Sequence, residues 1–194
     1  MGRRCASRPI RSGCDPWLIS APPKEAALAV FPIRVYPDAV LRTAAAPVGE
    51  IGGNTRRLIE DMVETMYEAP GVGLAAPQIG ISLRVFVFDA GDGPLHVINP
   101  VLEETSGSWE YEEGCLSVPE KFWPIKRPSF ARISGLDVEG NLVEYEGEEL
   151  MGRVLQHEFD HLDGTLLLRR LGRRARKEAL REMREESLGL RGPG

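Results

Sequence analysis

The chain has 194 residues, of which 42% are hydrophobic and 27% charged, so it is long enough for one domain with a buried core, and a fully disordered chain is excluded. The absence of long apolar runs predicts no membrane-spanning helix, and three Cys argue against a disulfide scaffold and indicate a reducing compartment. The net charge of −5 is divided between basic ends, +4 in residues 1–14 and +5 in 169–194, and a body of −14, which is not typical of a general nucleic-acid binder and predicts no DNA partner.

Residues 1–30 combine Arg, Ser and Pro and are predicted to form a disordered leader. No apolar stretch follows the Arg residues, so a secretory signal is not expected. Arg outnumbers Lys 20 to 4, as in GC-rich genomes. We therefore expect a bacterial cytoplasmic protein, and the acid-poor start leaves organellar import as the less favoured alternative.

The first predicted elements are a helix and several short strands. Asn54 or Thr55 is expected to cap a helix that runs to about Ala69, with its Met and aromatic side chains in the core. Residues rich in β-branched and aromatic side chains predict a strand at 83–88 and two short strands, 95–99 and 101–105, around a proline. A hairpin of 130–138 with 142–145 follows.

Two further helices are predicted, over residues 148–162 and 173–187. The second has few apolar side chains and should dock on one thin face, formed by Ala175, Ala179, Leu180 and Met183. Helix, many short strands, then helices is an order that favours an α+β fold over a parallel βαβ fold.

The predicted helix 148–162 carries His157 and His161 with Glu158 beside the first. Residues four apart lie on one helix face, so both imidazoles can bind one metal ion, and Glu158 can transfer protons. A catalytic site needs a third ligand, and no His follows His161, which leaves a downstream Glu or the upstream Cys115. A thiolate suits a soft divalent metal, although a free Cys is often only a small buried hydrophobe. We expect Cys115 to lie in a loop.

A third segment runs from Gly71 to Gly80. Its small residues allow close approach by a ligand or a strand, and it lacks the Lys and Ser/Thr of a phosphate loop. Gln78 offers an amide donor to an oxyanion, or it stabilises a turn.

Together these three segments resemble the peptide deformylase family. The matching motifs are Gly71-Val-Gly73-Leu-Ala-Ala-Pro-Gln78, Glu113-Gly-Cys115-Leu-Ser117 and Gln156-His-Glu-Phe-Asp-His161. They occur in the family's order and at family-like separation. The resemblance covers about residues 31–170, and it implies antiparallel sheets packed around a central metal-binding helix, with a C-terminal helix and tail in 171–194.

The resemblance also implies a reaction, which is removal of the N-formyl group from the N-terminal methionine of nascent polypeptides with release of formate. Cys115, His157 and His161 would hold one divalent metal ion, Fe(II) natively, with Zn, Ni or Co as alternatives. Glu158 would act as general base and then as general acid.

Other matching residues would bind the substrate. Gln78 and the Leu116 backbone N–H would bind the formyl oxygen, and the Gly73 backbone would align the peptide. Val72 and Val154 would line the pocket for the methionine side chain.

Two features lie around these motifs. Glu113 and Asp160 are expected to orient the ligand imidazoles, with pairing of Glu113 to Arg127 as an alternative. After Pro119 the family often carries an Arg, where this chain has Lys121-Phe122-Trp123, so its peptide contacts there should differ.

The basic C-terminal helix resembles helices that dock some bacterial members on the ribosome. This predicts contact with RNA phosphates, against the alternative of a solvated face, by Arg173, Arg174, Arg176 and Lys177. No membrane partner is expected. Two other functions stay open, a metalloprotease of the His-Glu-x-x-His type in which Cys115 binds no metal, and a non-catalytic metal-binding relative.

Overall fold

The computed structural model describes residues 28–190, so the predicted leader lies outside the described residues except for its last three. The helices are α1 (Gly53–Glu68), α2 (Glu149–Leu162) and α3 (Arg173–Ser187). The strands are β1 (Gly73–Ala75), β2 (Val85–Asp89), β3 (Pro94–Ser106), β4 (Trp109–Cys115), β5 (Val118–Arg127), β6 (Phe130–Leu136) and β7 (Leu142–Glu148). Among residues 28–190, no helix is both long enough and apolar enough to cross a bilayer.

The main sheet has five antiparallel strands in the order β1-β2-β3-β6-β7, and β4 pairs with β5 in a separate antiparallel sheet. Side chains alternate between the faces of a strand, so β2 is buried on both sides. Val85 and Val87 belong to a hydrophobic cluster with Met62 of α1, whereas Phe86 and Phe88 belong to a second cluster with Leu155 of α2. The antiparallel α+β fold around a central helix is confirmed.

The two short strands predicted around Pro100 are one strand, β3, with an irregularity. Its pairing with β6 shifts between Ile98 and Val101, and Asn99 has a φ of 52°. The Asn99 side chain accepts a hydrogen bond from the Val48 N–H at 2.8 Å and donates to the Val48 carbonyl at 2.9 Å. The Asn99 amide thus ties the bend in β3 to the segment before α1, which propensity alone does not reveal.

The expected cap of α1 is wrong. Gly52 precedes the helix, and Asn54 is an exposed residue of its first turn. The Thr55 hydroxyl donates instead to the Glu50 carbonyl at 3.3 Å. Tyr67, expected in the core, is 47% exposed and donates to Asp89 Oδ2 at 2.7 Å.

These positions give a paired prediction. Asn99→Ala removes both hydrogen bonds to Val48. It also places alanine at a positive φ, which asparagine tolerates better. The free energy of unfolding should therefore fall by about 1–3 kcal/mol. Asn54→Ala removes no cap and should stay within about 0.5 kcal/mol of the original chain. Urea denaturation followed by circular dichroism measures both. An equal loss of unfolding free energy in the two variants would indicate that Asn54 does cap α1.

Cys115 does not lie in a loop, since it ends β4 in the hairpin that β4 forms with β5. The sequence did not predict this hairpin, because prolines at 119 and 124 and many charged residues argue against strands. A two-stranded sheet, which consists of edge strands, tolerates both. α3 has its predicted bounds and docks beside the hairpin, with Ala179 buried and Leu180 and Met183 half-buried. Ala175 is exposed and lies outside the docking face.

Candidate metal centre

Three side chains from β4 and α2 place their donor atoms together. Cys115 ends β4, and His157 and His161 are one turn apart on α2. Cys115 Sγ lies 3.3 Å from His161 Nε2, which lies 3.2 Å from His157 Nε2. One ligand atom from each residue fits within 4.8 Å of the other two. One sulfur and two imidazole nitrogens are a donor set that suits divalent Fe, Zn, Ni or Co, so these residues fit the metal that the resemblance implies.

Glu113 fixes the orientation of His157. Its Oε1 lies 2.7 Å from His157 Nδ1, so the carboxylate accepts from that nitrogen and His157 Nε2 faces the other two donors. Arg127 donates to both carboxylate oxygens at 2.7 and 2.8 Å. Burial alone would raise the pKa of Glu113, but these hydrogen bonds from Arg127 and His157 hold it well below its usual range. Both expected roles of Glu113 therefore occur together.

Asp160 does not orient an imidazole, in contrast to the expectation. Its carboxylate forms ion pairs with Arg127 and Arg170. Within residues 28–190, His161 Nδ1 is buried without a hydrogen-bond partner. Asp160 instead secures Arg127, and through it Glu113.

The surroundings shift the pKa values of the two imidazoles in opposite directions. Burial opposes the charged form of His157, but the neighbouring Cys115, Glu113 and Glu158 raise its pKa well above the usual value. Burial and the adjacent His157 push the pKa of His161 well below that value. Protons and metal ions therefore compete for these nitrogens.

Glu158 is a buried carboxylate at the same end of α2. It is 3% exposed, and among the described residues its Oε2 has no hydrogen-bond partner. Burial raises its pKa to about 7, which is a suitable value for a group that gains and loses a proton near neutral pH. A Cβ built on Gly73 would lie 2.8 Å from Glu158 Cδ, so glycine is required for this close approach.

Gln78 is held beside the donor cluster. It is 1% exposed, and its Oε1 accepts the Ala75 N–H at 2.8 Å. This fixes the amide so that Nε2 lies 3.4 Å from Ser117 Oγ and 3.8 Å from Cys115 Sγ. The Gln78 donor is therefore directed toward the cluster.

A cavity of about 610 Å³ opens beside these groups. The remaining predicted residues line it, with Gly73 and Val154 buried, Leu116 half-buried and Val72 53% exposed at the mouth. Seven of the nine predicted site residues thus line the cavity, while His161 is the remaining donor of the cluster and Gln78 contacts its Cys115.

Several cavity residues were not predicted from the sequence, namely Tyr111, Leu150 and Arg153. Arg153 donates to Glu113 Oε2 at 2.6 Å and lies 4.9 Å from the Trp109 ring, which stacks on Tyr111. Its position four residues before His157 places it on the ligand face of α2, and this spacing could have identified it. No spacing pattern pointed to Tyr111, because it lies on β4, which was not predicted.

Comparisons with known proteins agree on one family. The family described as polypeptide deformylase matches residues 30–177. The peptide deformylase of Acidothermus cellulolyticus is 49% identical over 158 residues, covering 81% of this chain and 88% of that protein.

Solved structures give the same result. The peptide deformylase of Thermotoga maritima has a TM-score of 0.72 and 48% identity, covering 74% of this chain and 98% of that one. A class I type b peptide deformylase of Acinetobacter baumannii, with Met-Ala-Ser bound, has a TM-score of 0.71 and 32% identity, covering 74% and 99%. The chain belongs to the peptide deformylase family and is an enzyme of that activity.

Proposed function

We propose that this enzyme hydrolyses the formyl group from the N-terminal methionine of nascent polypeptides and releases formate. The observation that carries the proposal is the buried Glu158 carboxylate beside the Cys115, His157 and His161 donor atoms, at one end of an apolar-lined cavity. The Met-Ala-Ser bound to the Acinetobacter baumannii enzyme is consistent with a peptide that begins with methionine.

We assign the metal site to Cys115, His157 and His161, with one divalent ion, Fe(II) in the native enzyme. When bound, such an ion acts as a Lewis acid and lowers the pKa of a coordinated water molecule. Glu113 keeps the His157 ring in the orientation and tautomer that binding requires.

The chain's own groups then have distinct tasks. Glu158 accepts a proton when water attacks and delivers it to the leaving α-amine, and burial, which raises its pKa to about 7, favours both steps. The Gln78 amide, fixed by Ala75, donates to the formyl oxygen as negative charge develops there, together with the Leu116 N–H. Because the Ala75 N–H fixes the Gln78 amide, little reorganisation of this donor accompanies the reaction.

The cavity walls select and align the substrate. The Gly73 backbone belongs to β1, which lies at the edge of the main sheet and, among the strands of residues 28–190, pairs with β2 alone, so we infer that its other edge can align an extended peptide. Val72 and Val154 flank the space for the methionine side chain.

The experiment that tests this function compares two peptides. The enzyme should release formate from formyl-Met-Ala-Ser, leave acetyl-Met-Ala-Ser largely intact, and cleave no internal bond of either. Internal cleavage would indicate a metalloprotease, and bound metal without turnover a non-catalytic relative.

Gly73→Ala tests the packing of Glu158. The new methyl group meets the Glu158 carboxylate, so kcat/KM for formyl-Met-Ala-Ser should fall at least about tenfold, while the helical circular dichroism signal persists. Gly53→Ala is the matched control, since its added methyl group has no neighbour within 4 Å. An unchanged kcat/KM in Gly73→Ala would show that Glu158 does not need its present position.

We also propose that α3 contacts ribosomal RNA through its exposed basic first turns. Arg173→Glu with Arg174→Glu should weaken ribosome binding at least about tenfold at low salt, because ion pairs with phosphates are lost. Arg42→Glu with Arg56→Glu changes the charge equally elsewhere on the surface and should weaken binding less. Sedimentation with ribosomes at two salt concentrations measures this, and salt-insensitive or absent binding would contradict it.

Two assignments accompany the function. We propose residues 31–170 as the catalytic domain and 171–194 as a C-terminal helix and tail. The family match over 30–177 supports the first assignment, since it includes all of residues 31–170. A cytoplasmic location fits a substrate that emerges from the ribosome.

A further inference from the structure

A second groove lies beside the catalytic cavity. We call it the α3 groove, and its volume is about 720 Å³. It is bounded by Val35–Pro37, by the start of β5 and by one face of α3. Val118, Pro119 and Lys121 line both the groove and the cavity. The two spaces therefore meet at the first residues of β5.

This junction includes solvent-accessible wall of the cavity, since Pro119 is exposed and Lys121 is half-buried. The formyl end must lie at the buried end, beside His157 and Glu158. The exposed part of the wall includes Phe122, which is 66% exposed, with the half-buried Lys121 next to it in β5. A polypeptide that extends beyond a few residues must pass the rim, and the α3 groove continues the path over β5.

The groove combines an apolar floor with a positive rim. Tyr36, Leu180 and Met183 are half-buried against the cluster beneath α3. Four cations and one acid line the groove, namely Lys121, Lys177, Arg181, Arg184 and Glu186. Glu186 pairs with Lys121 at 2.7 Å, and within residues 28–190 neither Lys177 nor Arg184 forms an ion pair. The rest of the body is acidic, so this groove is a favourable place for a negatively charged chain.

We propose that the α3 groove binds the downstream segment of the polypeptide substrate and favours acidic residues there. The proposal rests on the proposed deformylase function and names a substrate preference within it. It uses residues apart from the cavity wall, except for the three that both spaces share.

The test uses amidated formyl peptides. Formyl-Met-Ala-Ser is the reference, and two longer peptides add five Glu or five Lys at positions four to eight. Five extended residues span roughly 17 Å, which avoids dependence on one register. kcat and KM for each peptide are measured at low and high salt, and each extended peptide is compared with the reference in the same variant.

The original enzyme should prefer the Glu peptide over the Lys peptide by at least about fivefold in kcat/KM at low salt, mainly through KM. The preference should decline at high salt. Lys177→Glu with Arg184→Glu should abolish it, whereas Arg173→Glu with Arg174→Glu, an equal charge change on the same helix outside the groove, should retain most of it.

Equal rates on both extended peptides would overturn the proposal, as would an equal loss of preference in the two double variants. A groove variant that loses ribosome binding but keeps the peptide preference would assign the groove to RNA and also overturn it. Failure to release formate from the short reference peptide would instead refute the proposed function itself.

Discussion

Replacing Glu158 by Ala should lower kcat for formyl-Met-Ala-Ser by about 10²–10⁴-fold, the range expected for loss of a positioned general acid–base group. The carboxylate is buried beside the Cys115, His157 and His161 donor atoms, and Glu113, the other buried carboxylate of that wall, is held by Arg127 and Arg153. Metal content per chain should be retained, because Glu158 is not one of the three donors. Formate release and metal analysis on the same sample separate the two effects.

Glu158→Gln is the matched variant, since it keeps the side-chain volume but cannot accept the proton. It should be about as inactive as Glu158→Ala. The base must be ionised, and a bound cation favours the ionised form, so kcat/KM of the original enzyme should rise with pH on an acidic limb with its midpoint at or below about 7. Substantial activity in Glu158→Gln would contradict the assigned role.

Glu113→Ala should produce the largest loss of stability, about 3–5 kcal/mol, because it leaves buried cations without their counter-ion. Glu113 is 5% exposed and accepts hydrogen bonds from Arg127, Arg153 and His157. The same variant frees the His157 ring, so metal affinity should also fall by about 10–100-fold. Urea denaturation and competition with a chelator measure the two effects.

The control for Glu113→Ala is Glu110→Ala, an exposed acid on the same strand, which should change stability by less than about 0.5 kcal/mol. The pH dependence has a defined sign. The pKa of Glu113 is lowered in the fold, so its contribution is present above the ordinary glutamate pKa of about 4.3 and is lost as pH falls toward the native value. A Glu113→Ala chain as stable as the original above pH 5 would contradict the network.

Strong sequence patterns made the helices and four of the five strands of the larger sheet predictable, whereas the short strand β1 was not predicted. α2 and α3 have apolar and polar faces at helical spacing, and β2 is a dense run of β-branched and aromatic residues. The irregularity at Asn99 and the hairpin of β4 with β5 were not predictable in this way. Both depend on partners distant in sequence, Val48 in one case and the facing strand in the other.

The residues of the site could be identified because three short motifs carried them, but their mutual support could not. Residue spacing on α2 indicated that His157 and His161 share a face. That Asp160 secures Arg127 rather than an imidazole, and that Arg153 reaches Glu113, depends on the distance between β4, β5 and α2 in the fold. Such distances are set by packing and leave no local signal.

The most direct test of the account is formate release from formyl-Met-Ala-Ser by metal-free enzyme reloaded anaerobically with one equivalent of Fe(II) or Ni(II). We expect no turnover before loading, saturation at one metal per chain, and loss of both tight metal binding and turnover in Cys115→Ala. Glu158→Ala should bind the metal yet release little formate. Turnover by the metal-free enzyme, or full activity of Cys115→Ala, would contradict the proposed metal-dependent deformylase site.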